Sequence, residues 1–366
     1  MSLNFRFAVV SDLHIALPHT VWSHPSRFHM VEVSIPALDL VFEHLEQQQL
    51  DFVLLPGDLT QDGEPDNHAW LQQRLAQLPF PVYVIPGNHD FETAIPGKEA
   101  IAASDFPQYY RKFGYENSQQ LYYTCQVLPG LRLISLNSNY FNAQGLLIGR
   151  VDDEQMNWLQ QVLAQTTEDV VFVMIHHNVI EHIPHQSRHQ LGRRYMLENA
   201  PDLLQLLQEF GVQLIFTGHL HVQDVAQWQN IYEITTGSLV SYPHPYRVVQ
   251  FQQDDAGQNW LTIESHRVEA VPDVPELQEM SRQWIGDRSF PFMIKLLTQP
   301  PLNLPQVEAE KLAPHLRYFW ADIAAGDALF EFPDFPISAQ RYFAKFGAIS
   351  PDGKPLLIDN NTTLRL

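Results

Sequence analysis

An alternation running through the first two-thirds of the chain constrains the fold most. Short apolar runs rich in β-branched and aromatic residues fall at 5–10, 52–55, 82–85, 131–136, 170–175 and 212–216. Each is flanked by polar or Pro/Gly residues, which predicts buried strands. Between them, 31–48, 68–77, 152–165 and 201–210 carry helical spacing, with Trp158, Leu159, Val162 and Leu163 forming one apolar stripe. Strands alternating with helices of this length predict an α/β fold with largely parallel strand order. After Gly218 the runs at 222–229, 231–236, 246–253 and 260–268 are strand-like with short turns between them. The domain is therefore expected to close with a mixed or antiparallel sheet.

A boundary is expected near Val271-Pro272-Asp273-Val274-Pro275. It divides the chain into a catalytic domain over 1–270 and a mostly helical C-terminal appendage over 271–366. In the appendage Leu312, Leu316, Phe319, Trp320 and Ile323 fall on one helix face before a stopping Gly326, and Pro314 either starts or kinks that helix. Its aromatic face suits burial against the core or, as a homo-oligomer contact, against a second chain.

The charge excludes some partners. With 22 Lys+Arg against 42 Asp+Glu the formal net charge is −20, which repels polyanions at long range and argues against nucleic acid and anionic membranes. A single cysteine, Cys125, fits a reducing compartment. The first residues lack the basic-then-apolar layout of a signal peptide, and no apolar stretch approaches the ~20 residues needed to span a bilayer. A cytoplasmic protein is expected.

Five of the strand-like runs end in a loop bearing metal-capable side chains. Asp12 and His14 follow the first, Asp58 the second, and Asn88, His89 and Asp90 the third. His176 follows the run at 170–175, and His219 and His221 the run at 212–216. In open α/β sheets the carboxyl ends of strands form the ligand-binding crevice, so these residues are expected to converge. Gly57, Gly87 and Gly218 precede candidates and are read as tight-turn residues. The donors are N and O only, suited to Mn, Fe, Zn or Ni. Seven exceed the need of one catalytic ion, whereas two ions sharing a carboxylate would use them all, as two-metal sites for displacement at phosphorus do.

In this order, Asp12-Leu13-His14, Gly57-Asp58, Gly87-Asn88-His89-Asp90, His176 and Gly218-His219-Leu220-His221 resemble the calcineurin-like metallophosphoesterase superfamily. Finer features resemble its cyclic-nucleotide phosphodiesterase-like (class III) branch: Gly57-Asp58-Leu59-Thr60, Asp153-Glu154-Gln155-Met156-Asn157-Trp158-Leu159 and the His176-His177 doublet. The resemblance implies a four-layer αββα sandwich and two divalent or trivalent ions, Mn, Fe or Zn. Asp12, His14, Asp58 and His221 would hold one ion. Asp58, Asn88, His176 and His219 would hold the other, with His177 as the fallback for His176. The implied activity is hydrolysis of a small phosphodiester such as a cyclic nucleotide or glycerophosphodiester. A phosphomonoesterase or nucleotide pyrophosphatase is the alternative, and a non-catalytic protein-binding scaffold the rival from another class.

His89 is assigned as general acid, with Asp90 orienting its ring. His177, Arg188, Arg193 and Arg194, with His244 after Gly237-Ser238, are expected to face the substrate, and two His/Arg-rich loops, 19–29 and 182–194, to gather cationic groups near the metals. Two departures stand out: Asn178-Val179 replaces the usual prolines, and 275–366 lies outside the shared core.

Overall fold

The computed structural model of the protein describes residues 3–22, 27–91, 99–350 and 352–366. The described strands, in chain order, are β1 (Asn4–Val9), β2 (Phe52–Leu55), β3 (Val82–Val84), β4 (Tyr123–Leu128), β5 (Leu131–Ser135), β6 (Asn139–Phe141) and β7 (Leu147–Gly149). They continue with β8 (Val170–Met174), β9 (Leu214–Thr217), β10 (Asp224–Trp228), β11 (Ile231–Thr235), β12 (Pro245–Gln253), β13 (Asn259–Arg267) and β14 (Thr362–Arg365). Two six-stranded sheets form, ordered β14-β13-β12-β1-β2-β3 and β10-β11-β9-β8-β5-β4, with a β6-β7 ribbon apart. Both sheets are mixed. β1, β2 and β3 run parallel, as do β5, β8, β9 and β11, while β12, β13, β14, β10 and β4 pair antiparallel.

Strand alternation explains the layers. Side chains point to opposite faces at each step, so Phe7 and Phe52 of the first sheet meet Phe172 and Phe216 of the second between the sheets. Phe7 stacks on Phe52 at 4.9 Å and meets the Phe216 ring edge-on at 5.4 Å. Neighbouring residues Val173 and Ile215 point the other way and pack with Leu159 of the helix Asp153–Gln165 and Leu203 of the helix Ala200–Glu209. The helices Ser34–Glu46 and Pro65–Leu75 bury Phe42 and Leu71 in the core of the first sheet. The result is the αββα sandwich. The helix Asp153–Gln165 starts where it does because the Asp152 carboxylate accepts from Gln155 N at 2.7 Å.

The C-terminal segment is largely helical, with helices at Leu277–Thr298, Gln306–Leu312, Phe319–Ala325 and Ile337–Ala344. Pro314 lies in a 3₁₀ turn, Ala313–Leu316, which separates the helix Gln306–Leu312 from the helix Phe319–Ala325 where a start or kink was expected. The chain then returns to the first sheet, where β14 pairs with β13. The helices share a hydrophobic cluster with Leu220 and Val222, next to the candidate donors His219 and His221. No helix among the described residues is long and apolar enough to cross a membrane.

Candidate metal centre

The carboxyl ends of the parallel strands meet at one end of the sandwich. Asp12 N donates to Gly57 O at 3.2 Å and His14 N to Asp58 O at 2.9 Å, which ties the β1 loop to the β2 loop. His219 N, after β9, donates to both Asp12 oxygens at 3.1 Å, joining the two sheets. Asp12, His14, Asp58, His219 and His221 all hold positive φ, between 42 and 67°. Such backbone costs of order 1 kcal/mol or more at each non-glycine residue and persists only where its surroundings over-determine it.

The glycines act in two ways. Gly57 has φ 97° and makes the turn that was expected of it. Gly87 and Gly218 serve close approach instead: a Cβ on Gly87 would lie 2.2 Å from Asp58 Oδ1, and one on Gly218 would lie 2.3 Å from Asp12 Oδ2.

The side chains form two donor groups that share Asp58. One atom each of Asp12, His14, Asp58 and His221 lies within 4.8 Å of the others, as do atoms of Asp58, His176 and His219. Asn88 joins the second group, its Oδ1 lying 3.2 Å from His176 Nε2. Asp58 Oδ2 is 3.6 Å from His14 Nε2 and 3.3 Å from His176 Nε2. Asp12 Oδ1 is 3.0 Å from His221 Nε2.

These residues fit metal ions on their own geometry. His14 is fully buried, yet neither ring nitrogen has a hydrogen-bond partner, a costly state unless a cation takes the lone pair. Burial, then the neighbouring imidazoles, holds His14 and His219 well below the usual histidine range and therefore neutral, as a ligand must be. Asp58 is held ionised: burial alone would raise its pKa, but His176, His89 and His14 outweigh it. His176 is raised to about 9 by Asp58 against the opposing effect of burial, and its Nδ1 donates to Pro56 O at 2.8 Å, leaving Nε2 towards Asp58 and Asn88. His177 joins neither donor group but lines the cavity, its ring 4.2 Å from that of His219. Its Nδ1 is 2.8 Å from Ser138 Oγ, and burial, then His176, lowers it to about 3.

Three expectations need correction. Asp90 does not orient His89: its carboxylate accepts from the backbone N–H of Leu59, Thr60 and Gly87 and from the Thr60 hydroxyl. It braces the two loops from beneath, and burial, then Asp58, pushes its pKa up to about 7. The His89 ring is oriented by Gln61 O, 2.7 Å from Nδ1. Of the three arginines only Arg194 lines the cavity at the metal centre; Arg188 is exposed, and Arg193 pairs with Glu198 at 3.6 Å. His244 is fully buried outside the cavity lining, with Nδ1 donating to Leu239 O at 2.8 Å.

Sequence reasoning placed His29 in a His/Arg-rich loop beside the site but did not name it as a donor. Its ring lies 4.2 Å from that of His14 and 4.7 Å from that of His221, and the three share a third close donor group. It follows no strand and belongs to no spaced motif; only the His-rich composition of its loop pointed to it.

The departure at Asn178 has a structural cause. Asn178 Nδ2 donates to Glu233 Oε1 at 3.1 Å, and Glu233 also accepts from Thr217 Oγ1 and from the N–H groups of Val179 and Ile180. His182 closes this buried network, with Nδ1 2.6 Å from Asp224 and Nε2 in an ion-pair contact, not a hydrogen bond, 3.0 Å from Glu233. Burial opposes the charge, but Glu233 and Asp224 raise His182 to about 10. A raised folded-state pKa stabilises fully below the unfolded value near 6.5, and the contribution is lost as pH rises through about 10. Urea midpoints are therefore expected to fall between pH 6.5 and 10, and His182→Gln should flatten that fall. Parallel slopes in the two proteins would remove His182 from the account.

The profile of the calcineurin-like phosphoesterase family matches residues 5–223, the stretch that carries all seven expected donors. A probable cyclic nucleotide phosphodiesterase of Psychrobacter sp. is 26% identical over 60% of this chain and 62% of its own length. A second probable cyclic nucleotide phosphodiesterase, from Synechococcus sp., is 25% identical over 72% of this chain and 88% of its own. A probable glycerophosphodiester phosphodiesterase of Arcobacter nitrofigilis is 28% identical over 51% and 63%. The chain thus spans about three-fifths of the first and third of these relatives.

Proposed function

This chain belongs to the calcineurin-like phosphoesterase family, and on that premise we propose that it is a dinuclear metal-dependent phosphodiesterase. The observation that carries the reading is the sharing of Asp58 between two donor groups. One ion would be held by Asp12, His14, Asp58 and His221, the other by Asp58, Asn88, His176 and His219. The N/O donor set suits Mn, Fe or Zn. When bound, such ions lower the pKa of water and offset charge on the phosphoryl oxygens. The chain's own residues do the rest. Asp12 and Asp58 supply the negative charge that retains the cations, and the bond from His219 N to Asp12 keeps the two sheets in register around them. His89 faces the cavity to protonate the leaving oxygen, and Arg194 offers a cation to the substrate. The names of the relatives support a diester, cyclic or glycerol-linked.

His29 walls the first site. His29→Ala is expected to weaken the first Mn²⁺ by about 10- to 100-fold, the scale seen when a group supporting a metal site is lost. Calorimetric titration reads this directly, and an unaltered affinity would assign His29 to the substrate alone.

Hydrolysis of paired chromogenic phosphate diester and monoester substrates by the Mn²⁺-loaded protein tests the reading. Diester turnover that disappears on chelation and returns with metal is the expected result. Preference for the monoester would move the chain to the phosphatases, and inertness towards both with two ions bound would overturn a general phosphodiesterase.

A further inference from the structure

The metal centre opens onto a cavity of about 570 Å³, within the size range of small-molecule sites. Asp58, Asn88, His89, His219 and His221 line it, and the C-terminal helices supply a second wall. Ile285, Ser289, the adjacent pair Phe292 and Met293, and Leu296 recur every three or four residues, so they share one broad face of the helix Leu277–Thr298, and all five line the cavity. Phe319 and Trp320 extend that wall. Met293 and Phe319 are buried, each 2% exposed, while Phe292 and Trp320 are half-buried and present most of this wall's apolar surface.

Packed protein interiors hold few voids larger than a water molecule, and an apolar cavity takes up apolar ligands in preference to water. A nucleobase edge needs donors and acceptors. Gln61 and Ser241 offer such atoms elsewhere in the cavity, but on this wall the Ser289 hydroxyl already donates to Gly286 O at 2.8 Å and its neighbours on the helix face are apolar.

Arg27 adds a second cation to the cavity besides Arg194. The residue is buried and lines the cavity, and Nη2 pairs with Glu32, yet Nε and Nη1 have no hydrogen-bond partner. Its loop is held by the same helix: Trp284 Nε1 donates to Arg27 O at 3.2 Å, and Phe28 meets Phe292 edge-on at 5.2 Å. A buried guanidinium with open donors is built for an oxyanion.

We propose that the substrate is an amphiphilic phosphodiester, with its phosphate at the metal centre, a single alkyl or acyl chain in the cavity, and Arg27 on an anionic oxygen. The inference rests on the phosphodiesterase reading and narrows it to a lipid-like substrate. The acidic surface does not oppose this, since a monomeric amphiphile need not be taken from an anionic bilayer.

The test is a series of p-nitrophenyl alkyl phosphodiesters, from methyl to octyl, offered below their micelle concentrations to the Mn²⁺-loaded full chain. Water adds to phosphorus, the aryl P–O bond breaks, and p-nitrophenolate and an alkyl phosphate leave. Each methylene that enters the cavity is expected to raise kcat/KM by about fourfold, so octyl should exceed methyl by at least ~100-fold. Ser289→Phe and Met293→Trp, which fill the cavity from the helix, should each bring the octyl-to-methyl ratio towards one. Because the ratio is taken within one preparation, a smaller folded fraction cancels. Arg27→Gln should raise KM across the series without altering its slope.

A methyl ester hydrolysed as fast as the octyl ester would overturn the proposal while leaving the metal chemistry intact. If no ester turns over, calorimetric binding of octyl phosphate against ethyl phosphate decides. Tighter octyl binding with a negative heat-capacity change keeps the cavity assignment and sinks the hydrolase reading; equal affinities sink the cavity assignment.

Discussion

Replacing Asp58 with alanine is expected to lower kcat/KM for a phosphodiester by at least ~10³-fold, about 4 kcal/mol of transition-state stabilisation. Bound metal should fall from two equivalents per chain to one or none. The size of the effect follows from position. Asp58 belongs to both donor groups, with Oδ2 3.6 Å from His14 Nε2 and 3.3 Å from His176 Nε2. Oδ1 accepts from His89 N at 2.9 Å, so the same carboxylate fixes the loop of the proposed general acid. Its charge is also what holds His176 at about 9 against burial; without it that imidazole loses its main electrostatic partner. Asp58→Asn separates the two roles, since the amide oxygen can still accept from His89 N while the charge is gone. The asparagine variant should keep its circular dichroism and thermal transition yet fail to retain metal after dialysis, measured by elemental analysis. Two ions retained per chain in Asp58→Asn would mean that Asp58 does not bridge.

How much of this was legible in the sequence depended on whether the signal was local. The strand ends were, because a short β-branched run followed by Gly-Asp, Gly-Asn-His or Gly-His is encoded within a few residues. The parallel core β1, β2, β5, β8 and β9 therefore lies within two residues of expectation at its bounds. β4 was not legible: it is an edge strand, half-exposed along most of its length, and carries no continuous apolar run. β14 is only the four residues Thr362–Arg365, and its place beside β13 depends on everything between. The helix Leu277–Thr298 hides its periodicity because Gly286 and Pro291 interrupt it.

The same distinction sorts the site residues. Donors on strand ends were found because topology carries them inward. His29 was not named as a donor because it is brought to His14 by the packing of its loop against the C-terminal helix, through Trp284 and Phe292. Arg188, Arg193 and His244 were expected at the cavity from composition alone, and composition does not orient a side chain. Asp90 shows the limit of adjacency. Next to His89 in sequence, it is directed by the turn towards the N–H groups of Leu59, Thr60 and Gly87.

Replacing His89 with glutamine or alanine is expected to slow hydrolysis of an alkyl-leaving diester by about 10²- to 10⁴-fold, the usual contribution of a positioned general acid. Loss on a p-nitrophenyl ester should stay within about tenfold, because that leaving group departs without a proton. The geometry is compatible with that proposed role. Nδ1 donates to Gln61 O at 2.7 Å, which leaves Nε2 for the cavity that the residue lines. In the donating form Nε2–H passes its proton to the departing alkoxide, while the bond to Gln61 O holds the ring through the transfer. The acceptor is a backbone carbonyl, so no side-chain replacement removes it. Asp90→Asn should therefore act by loosening the loop, lowering stability and metal retention together, without the leaving-group selectivity that marks loss of the acid. Both variants can be read on one pair of substrates. A selective loss for the alkyl leaving group in His89→Gln, absent in Asp90→Asn, identifies His89 as the acid. An equal loss on both substrates in His89→Gln would make it a positioning residue for Asp58, to which its backbone N–H is already bonded.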